Sequence, residues 1–290
     1  MGPVLQSVMF GVLAAVCWGI ADFLAAVISK RLGILGTVFG VHVASVAATT
    51  IYLVFALDPT MPSPGQWAAL VGMSLLAVVT YLAFYKSLQI GPVAVISPIV
   101  STYAVVVILL AVIFVGERLS AGQSIGAIGT IVGIVVASTN PRALRRRETL
   151  IGAGVLLAIL ATLGLGFWQF AVGVLSKEIG WFLPIYISRV LTLAFLLPIV
   201  VARRTWPWRQ ASALLILGVI VVGIVETAGL FAFARGSEVG IISIVAAASI
   251  TYPVIPVLGG LAIFKERLSI SQWSGLTIAL VGLLVLTLAG

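Results

Sequence analysis

Hydrophobic residues run through this chain in stretches of about twenty, each closed by glycine, proline or charge. Ten such runs can be drawn: 5–28, 34–57, 66–88, 92–115, 119–139, 150–176, 181–202, 210–235, 239–264 and 268–289. A helix crossing a ~30 Å hydrocarbon core needs about 20 mostly apolar residues, so every run is long enough. The breaks include Lys30-Arg31-Leu32-Gly33 and the segment from Asp58 to Gly65 with its three prolines. Only helices and closed barrels satisfy every backbone group in lipid, and these runs are not the ~10-residue alternating segments of a barrel. The pattern predicts an all-α, polytopic membrane protein of ten transmembrane helices.

The pattern also recurs. Residues 81–139 fall on 230–288 without a gap, at an offset of 149. Glu117-Arg118-Leu119-Ser120 matches Glu266-Arg267-Leu268-Ser269, Gly91 matches Gly240, Tyr103 matches Tyr252, Gln123 matches Gln272, Gly126 matches Gly275 and Gly133 matches Gly282. Earlier in each half, Phe23, Ser29-Lys30 and Gly33 fall on Phe170, Ser176-Lys177 and Gly180 at an offset of 147. A long internal period defines the architecture. The expectation is two five-helix repeats, 1–139 and 150–290, joined by a basic linker at 140–149. Five is odd, so the second repeat enters the membrane from the opposite side. Such inverted repeats belong to alternating-access carriers, with the site near the midplane where the repeats meet.

Charge orients the bundle. The chain is 62% hydrophobic and 8% charged, with a net charge of +8; a soluble domain carries roughly 25% charged residues. Twelve of its 16 lysines and arginines fall in loops on one face, among them Lys30, Arg31, Lys86 and the linker arginines. The positive-inside rule puts that face in the cytoplasm and both termini outside. Because the basic residues sit in short loops, they read as topology signals and not as a nucleic-acid surface. No cleavable signal peptide is expected, since residues 1–8 carry no basic side chain and the first apolar run is too long. Cys17 stands alone, which excludes an intrachain disulfide and a cysteine-rich metal site. No phosphate-binding glycine loop, nucleophile–base motif or metal-ligand spacing is present. The chain is therefore read as a non-enzyme without cofactor or metal.

These residues resemble the drug/metabolite transporter superfamily, and within it the ten-helix EamA-type transporters with two EamA domains. The resemblance rests on Tyr85-Lys86-Ser87-Leu88, Gly91-Pro92-Val93, Ser97-Pro98, Gly116-Glu117-Arg118-Leu119, Gly126 and Gly133. In the second half it rests on Phe233-Ala234-Arg235, Gly240, Tyr252-Pro253, Glu266-Arg267-Leu268, Gly275 and Gly282. The second-span arginine of that family matches Arg189; His42 stands at the equivalent place in the first half. The resemblance implies a secondary carrier of the cell (plasma or inner) membrane, a monomer or weak dimer that exports amino acids or other small metabolites. Its central cavity would be lined by spans one to four and six to nine. Many relatives are thought to keep both termini inside, whereas the charge count here argues the reverse.

Ionisable residues inside a span cost roughly 2.5–3.5 kcal/mol each on the insertion scale, so four stand out: Asp22, His42, Arg189 and Glu226. Their depths pair Asp22 with His42 and Arg189 with Glu226. Each is read either as a structural tie or as part of a substrate and proton path. Glu226, whose repeat equivalent is Ala77, leads the proton-coupling candidates, with Asp22 and His42 as alternates. Trp18 lies one turn from Asp22, Tyr81 one turn from Tyr85, and Tyr186 one turn from Arg189. Trp168 adjoins Gln169, which is the repeat equivalent of Asp22. These aromatics suit an amine or a ring by stacking and cation–π contact, or else simply pack. Ser97 and Tyr252 lie beside mid-span prolines, which free backbone carbonyls and offer polar contacts. Trp67, Trp181, Trp206, Trp208 and Trp273, at span ends, read as interface anchors. Glu117 and Glu266 read as loop caps or gates, away from substrate.

Overall fold

A computed structural model describes residues 2–56, 61–90, 99–138, 152–202, 211–252, 254–255 and 269–289. Among them there is no β-strand. The first helix, Pro3–Ala56, is interrupted at Gly33, where φ is 72° and ψ 168°. Its two arms carry the spans α1 (Pro3–Ala25) and α2 (Arg31–Leu53). Then come α3 (Pro64–Ile90), α4 (Tyr103–Leu110) running into a π-turn at Ala111–Val115, α5 (Ala121–Ser138) and α6 (Ala153–Ile179). They are followed by α7 (Phe182–Ala202), α8 (Ala213–Val239), α9 (Ile242–Ser249) and α10 (Ile270–Leu288). Seven of these helices are long and apolar enough to cross a membrane, and two more, Ile99–Val115 and Ala121–Ala137, are shorter and apolar. The predicted parts of spans four and nine at 92–98 and 256–264, and the linker at 140–149, lie outside the described residues.

Local chemistry sets the ends. The reversal between α1 and α2 needs a positive φ, which glycine alone adopts without strain; Gly180, 147 residues on, repeats it between α6 and α7 at φ 81°. The amino end of α3 is a capping box, in which Ser63 N–H donates to Gln66 Oε1 at 2.8 Å and Gln66 N–H to Ser63 Oγ at 3.4 Å. The same reciprocal pair, Ser269 with Gln272, opens α10. The hydrophobic run at 210–235 predicts an end near Arg235, but α8 continues to Val239. An ion pair between Arg235 and Glu238, one turn apart, carries the helix past the charge.

Three layers of contact hold the bundle. α1 and α2 pack on α8, α3 packs on α6 and α7, and α4 and α9 cross each other at the centre. α5 and α10 pack antiparallel at the margin, Gly133 against Ala279 and Gly275 against Ala137. A Cβ on either glycine would come within 2.3 Å of the facing backbone nitrogen, so only glycine lets the two backbones approach this closely. The outward faces are apolar: Phe114 is 72% and Leu288 74% exposed. That surface suits lipid and not water.

One end of the bundle is closed by packing. Tyr52, Trp181, Phe182, Tyr186 and Phe231 form an aromatic cluster with ring centroids 5.1–6.1 Å apart. Trp181 is therefore part of a packed plug and not a free anchor, unlike Trp67 and Trp273, which are exposed. At the same end Glu117 accepts hydrogen bonds from the backbone N–H groups of Ile242 and Ser243 at 2.8 and 2.9 Å, and Ser7 Oγ accepts from Ile241 N–H at 2.8 Å.

Candidate functional site

Arg189 lies midway along α7 and is 2% exposed. A buried guanidinium needs partners on several sides, and it finds them on three other helices. Its Nη1 donates to His42 Nε2 on α2 at 2.9 Å. Its Nη2 forms an ion pair with Glu226 Oε2 on α8 at 2.5 Å, at angles outside hydrogen-bond geometry. Its Cζ sits 5.8 Å from the centroid of the Tyr81 ring on α3, within cation–π range. Tyr81 Oη in turn donates to Glu226 Oε1 at 2.9 Å, and its ring meets that of His42 edge-on, 5.3 Å between centroids.

This network fixes the state of His42. A guanidinium only donates, so Nε2 must accept. The proton then sits on Nδ1, which donates to the carbonyl of Val38 at 2.9 Å. His42 is a neutral imidazole with both nitrogens engaged.

A cavity of about 40 Å³ lies beside the network. Asp22, Val38, His42, Tyr81, Tyr85 and Glu226 are among the residues that line it. It sits in the half of the bundle nearer Lys30, Arg31 and Lys86, away from the aromatic plug. Among the described residues, no hydrogen bond or ion pair reaches the Asp22 carboxylate.

The structure thus brings together Asp22, His42, Tyr81, Tyr85, Arg189 and Glu226. It corrects the expected pairing of Asp22 with His42. Helix depth matched those two residues, but the stronger donor, Arg189, reaches His42 across the helix interface, and Asp22 lines the cavity instead. The other candidates are not among the residues that line the cavity. Trp18 packs against Phe233 at 6.0 Å. Trp168 Nε1 donates to Ser188 Oγ at 3.3 Å. Gln169 is buried, and its Oε1 has no partner among the described residues. Tyr186 stacks on Phe182 and bonds Thr50 at 3.3 Å, inside the plug. Tyr252 packs along α1, where its carbonyl would lie 2.6 Å from a Cβ on Gly19. Ser97 lies outside the described residues. Residues missed from the sequence are Val38, whose carbonyl orients His42, and Phe84 and Val222, which wall the cavity. Tyr103 bonds Ser249 at 2.9 Å across the α4–α9 crossing. A carbonyl acceptor leaves no trace in a side-chain pattern, though aromatic spacing on α3 hints at Phe84.

Helices of spanning length, an apolar exterior and a charged centre buried between them define an all-α polytopic membrane protein. Residues 5–139 match the family model described as "EamA-like transporter family", so this part of the chain is similar to that family. The fold has a solved counterpart, described only as "Crystal structure of protein", at a TM-score of 0.73 and 16% identity, covering 97% of this chain and 96% of that one. No curated protein matches the chain.

Proposed function

We propose that the chain is a secondary active carrier that exports a small metabolite, an amino acid or an amine, across the cell membrane. Two inverted five-helix halves, 1–139 and 150–290, alternate access to a central site. The EamA-like match over residues 5–139 supports the transporter class, and the antiparallel seam of α5 with α10 supports the inversion.

The observation that carries the reading is the Arg189–His42–Glu226–Tyr81 centre. It joins α2 and α3 to α7 and α8 by charge and hydrogen bonds in the membrane interior, where a charge has no value except to function or to a matched partner. The adjoining cavity, about 40 Å³, has room for little more than a water molecule, whose share of liquid volume is about 30 Å³. This is the closed form of a site that must widen to admit substrate. The plug and Glu117 hold the opposite end shut. With the basic face inside and both termini outside, the cavity lies on the cytoplasmic side of the centre, where an exporter loads.

Proton coupling, if present, runs through Glu226 and Asp22. His42 fits it less well, since both of its nitrogens are already used. Reconstituted liposomes test the reading. A carrier shows saturable counterflow, and a pH gradient accelerates net flux. A pH-driven rate unchanged in Glu226→Gln removes Glu226 as the coupling group and leaves Asp22; a flux in the unaltered chain that no pH gradient moves leaves an uncoupled exchanger. Saturable flux absent for every amino acid and amine tried overturns the carrier.

A further inference from the structure

We propose that the cavity is a site for an organic monovalent cation, a primary amine whose ammonium group pairs with Asp22, and that it rejects zwitterionic amino acids. The inference rests on the carrier reading and narrows its substrate class.

The argument begins with charge. Among the described residues, the acidic and basic side chains at or beside the cavity are Asp22, Glu226 and Arg189. Arg189 is committed: Glu226 takes its charge at 2.5 Å and His42 takes Nη1 at 2.9 Å. His42 is neutral, because its Nε2 accepts that bond. One carboxyl group, Asp22, therefore stands without a cationic partner among the described residues. Residues 91–98, 253 and 256–264, outside the described residues, contain no ionisable side chain. Lys86 adjoins Tyr85 in sequence, but it is exposed at the end of α3.

Shape agrees with charge. Tyr81, Phe84 and Tyr85 bring three rings to the same cavity as Asp22, and the Phe84 and Tyr85 rings meet at 5.4 Å. Aromatic faces attract a cation that has shed water, and a low-dielectric pocket strengthens its pairing with a carboxylate. The volume of about 40 Å³ accepts an ammonium head, and the rest of the molecule requires the widening that a transport cycle supplies.

A substrate carboxylate finds no counterpart here. Arg189 Nε has no hydrogen-bond partner among the described residues, but Arg189 does not line the cavity and is 2% exposed. Reaching it means displacing Glu226 or His42. An amino acid at this site would therefore bury an unpaired carboxylate, at a cost that an amine avoids.

The test is calorimetric titration of the purified full-length chain in detergent with phenethylammonium, 2-phenylethanol, phenylalanine and sodium chloride. The expected result is binding of phenethylammonium, with the alcohol and phenylalanine each weaker by about 30-fold or more, the scale of a lost buried charge pair. Asp22→Asn should weaken the amine by a similar factor, and Asp22→Glu should retain most of the affinity. Equal affinity for phenylalanine and phenethylammonium overturns the proposal, as does an amine affinity untouched in a folded Asp22→Asn. Sodium displacing the amine at equal concentration also overturns it, in favour of an inorganic cation site. The selectivity series uses the unaltered chain, so it decides the matter even if Asp22→Asn does not fold. Amine binding without flux in liposomes supports the site and sinks the carrier; flux of phenylalanine without amine binding does the opposite.

Discussion

Arg189 donates to the Nε2 of His42 across 2.9 Å, and the two residues occupy the same position of the sequence repeat, 147 residues apart. Residues related by a two-fold axis touch only where the axis passes between them. In the proposed inverted repeat the contact therefore marks where the axis relating the two halves would pass. Because one partner is a histidine and the other an arginine, the two halves make one bond there. Two arginines would repel.

The His42 acceptor should be needed even though its ring is not. Replacing it by Phe keeps an aromatic beside Tyr81 but leaves Nη1 of a buried guanidinium without its acceptor. Such a loss costs roughly 1–3 kcal/mol, more when the group is charged. His42→Gln retains an acceptor and should recover part of the difference. Thermal unfolding in detergent, followed by tryptophan fluorescence, gives the order wild type, then Gln, then Phe. Equal stability of the Phe and Gln variants would show that the hydrogen bond contributes nothing.

The ion pair between Arg189 and Glu226 should be strongly non-additive. Arg189→Leu strands the Glu226 carboxylate, and breaking one side of a buried pair costs about 3–5 kcal/mol. Removing both charges in Arg189→Leu/Glu226→Leu leaves no orphan, so the double variant should be more stable than Arg189→Leu alone. Tyr81 tempers the effect, since its hydroxyl still donates to Glu226 in the single variant. A double variant that unfolds at the sum of the two single losses would mean that the charges act independently.

Seven of the spans were legible as helices of membrane-crossing length because lipid leaves the backbone so few choices. Gly33 and Gly180 could be read as matching turns for the same reason. The four intramembrane ionisable residues were also visible as expensive and therefore purposeful. Their partners were not. Helix depth matched Asp22 with His42, but depth is one coordinate, and partnership is decided by which faces the helices turn to each other. That rotation follows from packing at sites such as Gly223, whose Cβ would lie 2.7 Å from the carbonyl of Val41. Nor does a side-chain pattern show that a backbone carbonyl, Val38, sets the tautomer of His42. Tyr186 and Trp181 misled because an aromatic at a span end reads the same whether it anchors in lipid or plugs a bundle.

The seam between α5 and α10 gives a sharp contrast between glycines. A methyl on Gly133 would stand 2.3 Å from Ala279 N and 2.6 Å from its Cα. Both are backbone atoms, so the helices must part, losing contacts along the whole seam. Overpacking of this kind costs typically 1–3 kcal/mol, and Gly133→Ala should fall in or above that range. On α3, Gly72 has nothing within 4 Å of the same added methyl. Gly72→Ala gains helix propensity, up to about 1 kcal/mol, and should unfold at or above the wild-type temperature. A Gly133→Ala variant as stable as Gly72→Ala would show that α5 and α10 do not pack backbone to backbone.

Glu117 should act as a latch at the plugged end. Its Oε1 accepts from Ile242 N–H at 2.8 Å, and its Oε2 accepts from Ser243 N–H at 2.9 Å and from Ser243 Oγ at 2.7 Å. Lys177 Nζ stands 3.5 Å away. The carboxylate thus caps α9 from a different part of the chain, at the helix end where a negative charge is favoured. Glu117→Ala removes these three bonds and the Lys177 contact at once. The helix cap alone is worth roughly 0.5–2 kcal/mol, and the loss falls only on conformations in which α9 meets the loop after α4. If the plugged end opens during transport, the substitution favours the open form. In a Cys17→Ala background, Ile241→Cys should react slowly with a membrane-impermeant maleimide, and adding Glu117→Ala should speed that reaction. Glu117→Gln keeps one carbonyl acceptor and should fall between. An unchanged labelling rate in a folded Glu117→Ala variant would reduce Glu117 to a static cap and leave the aromatic cluster around Trp181 and Phe182 as what holds this end closed.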